Sequence, residues 1–186
     1  MNTNRLSSTQ DAKQECMQTD CVFCSAELKC AACRDQSVIA SFSVAGVPIA
    51  QPRHKIRIVK GKTPYAIHYI DSNHPIRGWK KELQQAARDA MQDRAPSTVA
   101  MSAALMFILP RPITKVWKRK PMPRYDHTSK PDLDNLCKAV FDALSGIVFC
   151  DDRQIAKIIC AKQVAAGNEQ PRVEVELIRL PVADES

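Results

Sequence analysis

The chain has 186 residues, a formal net charge of +7 and a pI near 9.1. That length holds one ordinary domain plus an extension, and 45 % hydrophobic residues rule out a wholly disordered chain. No run of 18 apolar residues marks a membrane span, and the polar start MNTNRLSSTQDAKQEC lacks the apolar stretch of a signal peptide, so a cytoplasmic location is expected. The positive charge favours a polyanionic partner.

Residues 1–36 read as a Cys-rich arm and 37–186 as the main domain. Within the arm, Cys21-x2-Cys24 and Cys30-x2-Cys33 could offer four thiolates to a structural Zn2+. The five-residue gap between the pairs is shorter than in zinc ribbons, and a metal-free Cys-rich arm is the competing reading. With four basic and five acidic residues, the arm is not expected to be the main contact for a polyanion. Cys137, Cys150 and Cys160 stand in apolar stretches and are expected to be packing residues.

In residues 37–47, SVIASFSVAGV, apolar positions alternate with period two, which predicts a first strand ended by Gly46 and Pro48. Residues 56–60 and 65–70 predict a hairpin across Lys60-Gly61-Lys62. Arg53, Lys55 and Arg57 share one parity on that segment and project to one side, as phosphate contacts would. Pro75 and the helical spacing of Ile76, Trp79, Leu83, Ala87 and Met91 predict a helix over 76–93 that packs on a sheet. Residues 98–109, TVAMSAALMFIL, predict a central strand buried on both faces, stopped by Pro110 and Pro112.

Residues 111–130 hold seven Lys and Arg against the single Asp126, and four prolines in 110–123 disfavour regular structure. A basic loop of this length points to function. Lys115, Lys118, Arg119, Lys120, Arg124 and Lys130 are candidate DNA contacts, with Trp117 and Tyr125 as stacking groups among them.

A helix follows from Leu133 to Leu144, capped by Asp132, with Leu133, Leu136, Cys137, Val140 and Leu144 as its apolar stripe. Asp132 and Asp134 emerge together at its N-terminus, Lys138 lies one turn on, and Ile147–Cys150 delivers Asp151-Asp152. If that run leads back along the helix, one of the later acids meets the first pair. Carboxylates from two elements beside positive charge suit a hard cation such as Mg2+ on a phosphodiester. Taken one at a time, these residues also suit a cap, a helix ion pair and a turn. Residues 155–164 and 172–179 predict two more strands, joined as a hairpin through Gly167-Asn168, with Glu174 and Glu176 on a solvated face.

The stretch KPDLDNLCKAVFDALSGIVFCDDRQI closely resembles the signature of the RusA-type Holliday junction resolvases, an acidic D-x-D-N-L-x-K-x-x-x-D-A-L helix followed by a D-D-x-Q-I turn. Weaker similarity extends over roughly residues 38–180. The resemblance implies a small α/β (α+β) fold, a mixed sheet with two main helices, that forms a homodimer. It implies Asp132, Asp134 and Asp152 as catalytic ligands of Mg2+, with Mn2+ as a substitute, and Lys138 as a lysine needed for cleavage. The implied substrate is the four-way DNA junction, nicked symmetrically on two strands in recombination and repair. Where some members carry consecutive arginines before the first aspartate, this chain has Ser129-Lys130-Pro131. Competing readings are a branched-DNA-binding protein without cleavage and a broader nuclease for flaps and forks.

Overall fold

The structure, a computed structural model, describes residues 38–61, 63–117 and 119–181. Cys21, Cys24, Cys30 and Cys33, with the zinc reading they carry, lie outside the described residues, as does Lys118. The elements in chain order are β1 (Val38–Ala45), β2 (Lys55–Val59), β3 (Tyr65–Tyr69), α1 (Ile76–Met91), β4 (Met101–Leu109), β5 (Tyr125–Asp126), α2 (Leu133–Leu144), β6 (Ile155–Val164) and β7 (Arg172–Arg179). Single 3-10 turns occupy Ile113–Lys115 and Asp152–Gln154. This is the expected α+β architecture of a mixed sheet and two helices.

The main sheet has the order β1-β7-β4-β6-β5, and β2 and β3 form a separate antiparallel ribbon. β4 takes the centre because it is the most continuously apolar strand. It pairs antiparallel with β7 and parallel with β6. A parallel neighbour cannot be reached by a tight turn, so the chain crosses over between β4 and β6, and α2 forms the body of that crossover.

Met101, Ala103, Leu105 and Phe107 point from β4 into one core with Trp79, Leu83 and Ala87 of α1 and Leu136, Val140 and Leu144 of α2. Each fully buried large aliphatic side chain there contributes about 1.5–3 kcal/mol. Both helices therefore cover one face. On the other face Ser102, Ala104 and Met106 are only half-buried. Ala104 and Met106 line an open depression of about 660 Å3 with Ser41, Ile159, Glu174 and Glu176. The expectation of a strand buried on both faces is therefore met on one face only: both described helices lie on the side of Met101, Ala103, Leu105 and Phe107.

The expected hairpin between β6 and β7 is also corrected, since β4 lies between them. Parallel β6 and antiparallel β7 flank β4 on opposite sides, and the turn through Gly167-Asn168 passes over the end of β4. The link is visible in the Ala165 amide, which donates to the Leu109 carbonyl at 2.8 Å. The basic segment is less irregular than its prolines suggest, because β5 adds to the edge of β6 through Tyr125↔Val164 and Asp126↔Gln163.

α1 starts after Pro75 and ends where Gln92 turns left-handed at φ 48°. α2 ends at Ser145, followed by Gly146 at φ 77°, a conformation glycine adopts without steric cost. Of the three cysteines expected to pack, Cys137 is buried and Cys160 half-buried, but Cys150 is exposed. Val148 and Phe149 fill the core at that point and leave Cys150 at the start of the turn. Burial, reinforced by the neighbouring Cys160 thiol, pushes the Cys137 thiol up to about 12, so it is an inert packing group.

One ion network ties the basic loop to the β6–β7 turn. Glu169 accepts from both Arg124 and Arg172 and, at 2.9 Å, from the Ala166 amide. The Arg124 guanidinium, above all, holds the Glu169 carboxyl at about 2, well below the usual range. A lowered folded-state value means that the stabilisation is fully present above the unfolded value near 4.5 and is lost as pH falls toward about 2. Glu169→Gln should therefore destabilise the protein by ~1–2 kcal/mol at pH 7. In chemical denaturation at a series of pH values, the gap from wild type should shrink between about pH 4.5 and pH 2. A gap that is constant with pH would remove the ion network as its source.

Candidate active site and nucleic-acid interface

The C-terminal ends of the parallel strands β4 and β6 lie side by side, which is where open α/β sheets tend to place ligands. The N-terminus of α2 is fixed at that same end. Lys162, near the end of β6, donates from Nζ to the carbonyls of Ser129 and Pro131, both at 2.6 Å. The two residues it grips lead directly into Asp132.

Asp132 stands at the N-cap in extended conformation, and its carbonyl accepts from the Leu136 amide at 3.2 Å. Its side chain makes no capping bond, contrary to the expected role. Asp134 follows in the first turn and Lys138 one turn later, and all three side chains are exposed. The helix ion pair that the Asp134–Lys138 spacing allows does not form. Among the described residues, none of the three side chains enters a hydrogen bond or salt bridge. The positive end of the helix dipole favours the two carboxylates without occupying their oxygens.

The remaining acids differ sharply in their state. Asp142 is paired with Lys80 of α1 at 3.1 Å and holds the two helices together. Asp151 is the cap of the 3-10 turn: it accepts from the Arg153 amide at 3.0 Å, which holds its carboxyl below the ordinary value. Gln154 completes the turn by accepting from the Asp151 amide and donating to the Ser97 carbonyl, both at 2.9 Å. Asp152 is exposed and is in no salt bridge among the described residues. It faces an open cleft of about 340 Å3 with Asp142, Ser145 and Asp151.

That cleft lies at the C-terminal end of α2, whereas Asp132 and Asp134 lie at its N-terminal end. Roughly 17 Å of helix separates Asp134 from Ser145. Ile147–Cys150 does not lead back along the helix; it turns into the start of β6. Accordingly, among the described residues no three His, Cys, Asp or Glu side chains converge on one cation position. Asp132, Asp134 and Lys138 are brought together, and Asp152 is not brought to them within one chain.

The expected DNA contacts also sort by state. Arg53 and Arg57 are exposed and outside the salt bridges found among the described residues, while Lys55 is held by Asp71 at 2.6 Å. Arg124 is engaged with Glu169. Lys115 and Arg111 sit over the Tyr125 ring, 5.0 and 5.1 Å from its centre, so that ring is covered by cations. Arg119, Lys120 and Lys130 are exposed, and Trp117 keeps 45 % of its surface open. The residue that sequence reasoning missed is Lys162. Its signal was a lysine inside a strand that must be half-covered, a placement that lysine tolerates only with partners.

The family model described as Endodeoxyribonuclease RusA matches residues 45–178. The chain belongs to the RusA endodeoxyribonuclease family. It is also 32 % identical over 142 residues, 72 % of its own length, to the uncharacterized protein YqaN of Bacillus subtilis (strain 168), of which it covers 92 %. As a RusA-family member the chain is an endonuclease that hydrolyses DNA phosphodiester bonds. The matched span takes in α2, the Asp151-Asp152 turn, the basic loop and the β2–β3 ribbon, and leaves out residues 1–44 and 179–186.

Lys162 acts on the site through the backbone. Lys162→Met removes two donors from the Ser129–Pro131 segment and lets Asp132 shift. If Asp132 takes part in cleavage, kcat on a DNA substrate should then fall about ten- to a hundredfold while KM stays nearly constant, because ångström-scale misplacement of a reacting group is costly. Lys162→Arg should recover part of the rate. A matching loss of DNA affinity would mean that Lys162 binds DNA itself.

Proposed function

We propose that this chain is a Mg2+-dependent resolvase of four-way (Holliday) DNA junctions that works as a homodimer and makes paired symmetric nicks. The observation that carries the reading is the set Asp132, Asp134 and Lys138 at the α2 N-terminus, without partners among the described residues and beside a basic loop. Bare carboxylates next to phosphate weaken plain binding, so a pure binding protein gains nothing from them.

Mg2+ binds through one or two carboxylates together with water and substrate phosphate, and Asp132 and Asp134 supply that donor set from one chain. Mn2+ takes the same ligands. When bound, such an ion neutralises charge on the scissile phosphate and acidifies an attacking water. Lys138, one turn further along the helix, would meet charge growing on a non-bridging oxygen. Arg53, Arg57, Arg119, Lys120 and Lys130 would hold flanking phosphates, which makes affinity strongly salt-dependent.

Asp152 is the third carboxylate of the reading, and its position favours a dimer. Symmetric cleavage calls for two sites related by a two-fold axis. If that axis crosses α2 and β6 near their middle, each α2 N-terminus meets the opposite end of the partner, where Asp152 stands. A site composed from two chains would reconcile the three aspartates with their separation in one.

Cleavage of an end-labelled junction with Mg2+ tests this directly. Wild type should give paired symmetric nicks, and Asp134→Asn should bind the junction while cutting at least ~100-fold more slowly. Asp152→Asn should behave alike. Mixing these two variants discriminates the dimer arrangements. In a composite site, the mixed dimer has one site with both substitutions and one with neither, so nicking on one strand should return. In a site built from one chain, both sites stay broken and the mixture remains inactive. A wild type that binds but does not cut with Mg2+ or Mn2+ favours the non-catalytic reading, and equal cutting of flaps and forks favours the broader nuclease.

A further inference from the structure

The β2–β3 ribbon stands outside the core, and nine of its ten residues are exposed. A two-stranded ribbon alone is marginal in water, yet this one displays Ile56, Ile58, Tyr65, Ile67 and Tyr69 openly. Its register decides which of them act together. Lys55 lies opposite Tyr69, Arg57 opposite Ile67 and Val59 opposite Tyr65. Directly opposed residues share a face, so one face carries Lys55, Arg57, Val59, Tyr65, Ile67 and Tyr69. The other carries Ile56, Ile58, Ala66 and His68.

On the first face Lys55 and Arg57 stand on one strand beside Val59, and Tyr65 and Tyr69 on the other flank Ile67. No Asp or Glu occurs between residues 46 and 70, and Arg53 and Lys60 extend the positive charge beyond the strand. Asp71, at the base of the ribbon, offsets Lys55 and leaves Arg57 without an acid among the described residues. Tyr65 is 59 % and Tyr69 39 % exposed, so both rings have open surface.

We propose that this face is a stacking platform for DNA bases left unstacked at a branch point, with Arg57 and Arg53 on the adjoining phosphates and Tyr65 and Tyr69 against the bases. The charge complementarity selects nucleic acid as the occupant. The rings select unstacked bases, because bases within a duplex have both faces covered by their neighbours and offer a tyrosine only their edges. The two rings stand four residues apart, roughly 13 Å along the strand, so they engage separate bases. The inference deepens the junction reading and rests on it. It gives the ribbon a part in recognising the branch, apart from the carboxylates that would cut.

The test measures binding by the full chain in EDTA, so that no cleavage intervenes. The probes are a four-way junction with 2-aminopurine at the branch point and a fully paired duplex of equal length. Wild type should prefer the junction and quench the probe. Tyr65→Ala with Tyr69→Ala should weaken junction binding about tenfold or more and abolish the quenching, with duplex affinity kept within about twofold. The paired Tyr→Phe variant should bind as wild type. Arg57→Gln should weaken both DNAs and lower the salt slope by about one. Unchanged junction binding by the Ala pair, or equal loss on both DNAs, overturns the platform. So does a change of sedimentation in the Ala pair, which would instead place the ribbon between two copies of the chain. If wild type shows no preference for the junction, the junction reading itself fails. A wild-type preference that the Ala pair retains sinks the platform alone.

Discussion

The parallel pairing of β4 with β6 is the constraint on which the rest of the arrangement depends. Parallel neighbours oblige the chain to leave β4 at one end of the sheet and re-enter β6 at the other. The candidate carboxylates, Lys138 and the basic loop all lie on that crossover. The basic loop begins where β4 stops at Pro110, α2 carries the chain back, and the Asp151-Asp152 turn reverses it into β6. The apolar stripe of α2 pins the crossover to the sheet through Leu136, Val140 and Leu144, none of which exposes surface. The helix is thus a rigid strut between two acidic positions.

Charge around this strut is distributed by use. Asp142, Asp151, Glu169, Lys55 and Arg124 are engaged with partners that fix helices, turns and the ribbon base. Among the described residues Asp132, Asp134 and Lys138 have no such partner, although their spacing permits a helix ion pair. Exposed pairs of that kind contribute little stability, so leaving these groups unpaired costs the fold almost nothing. It keeps carboxylate oxygens available next to cations that would hold a phosphate. Lys162 acts alike: its ammonium donates to two carbonyls and, among the described residues, forms no salt bridge, so it orders the backbone that leads into Asp132.

Much of the fold was legible because local pattern and tertiary role agreed. The period-two runs of β1 and β7, the helical spacing of Trp79, Leu83 and Ala87, and the apolar stripe of α2 each named their buried side correctly. The failures arose where strand neighbours decide. A segment such as 155–179 reads as a hairpin from its turn residues, but β4 separates the two strands, and no local signal reports a non-sequential neighbour. Ser102, Ala104 and Met106 read as buried because composition does not reveal that both described helices lie on the opposite sheet face. At the site, Asp132, Asp134 and Lys138 were legible from spacing on one helix. Lys162 was not, since its partners are some 30 residues away in sequence.

The separation of the aspartates bears on why cleavage and dimer formation belong together in this reading. A single chain offers two carboxylates and a lysine at one end of α2 and a third carboxylate at the other. A rigid helix cannot bend the two ends together, and β6 beside it is equally stiff. A lone chain would therefore hold a divalent ion weakly, through Asp132 and Asp134 only. Under a two-fold axis across the strut, the same rigidity becomes useful, because it sets two composite sites a fixed distance apart. Two strands cut at related positions require that kind of fixed spacing. The length of α2 would then determine the separation of the paired nicks, and the crossover topology would link the fold to the symmetry of the product.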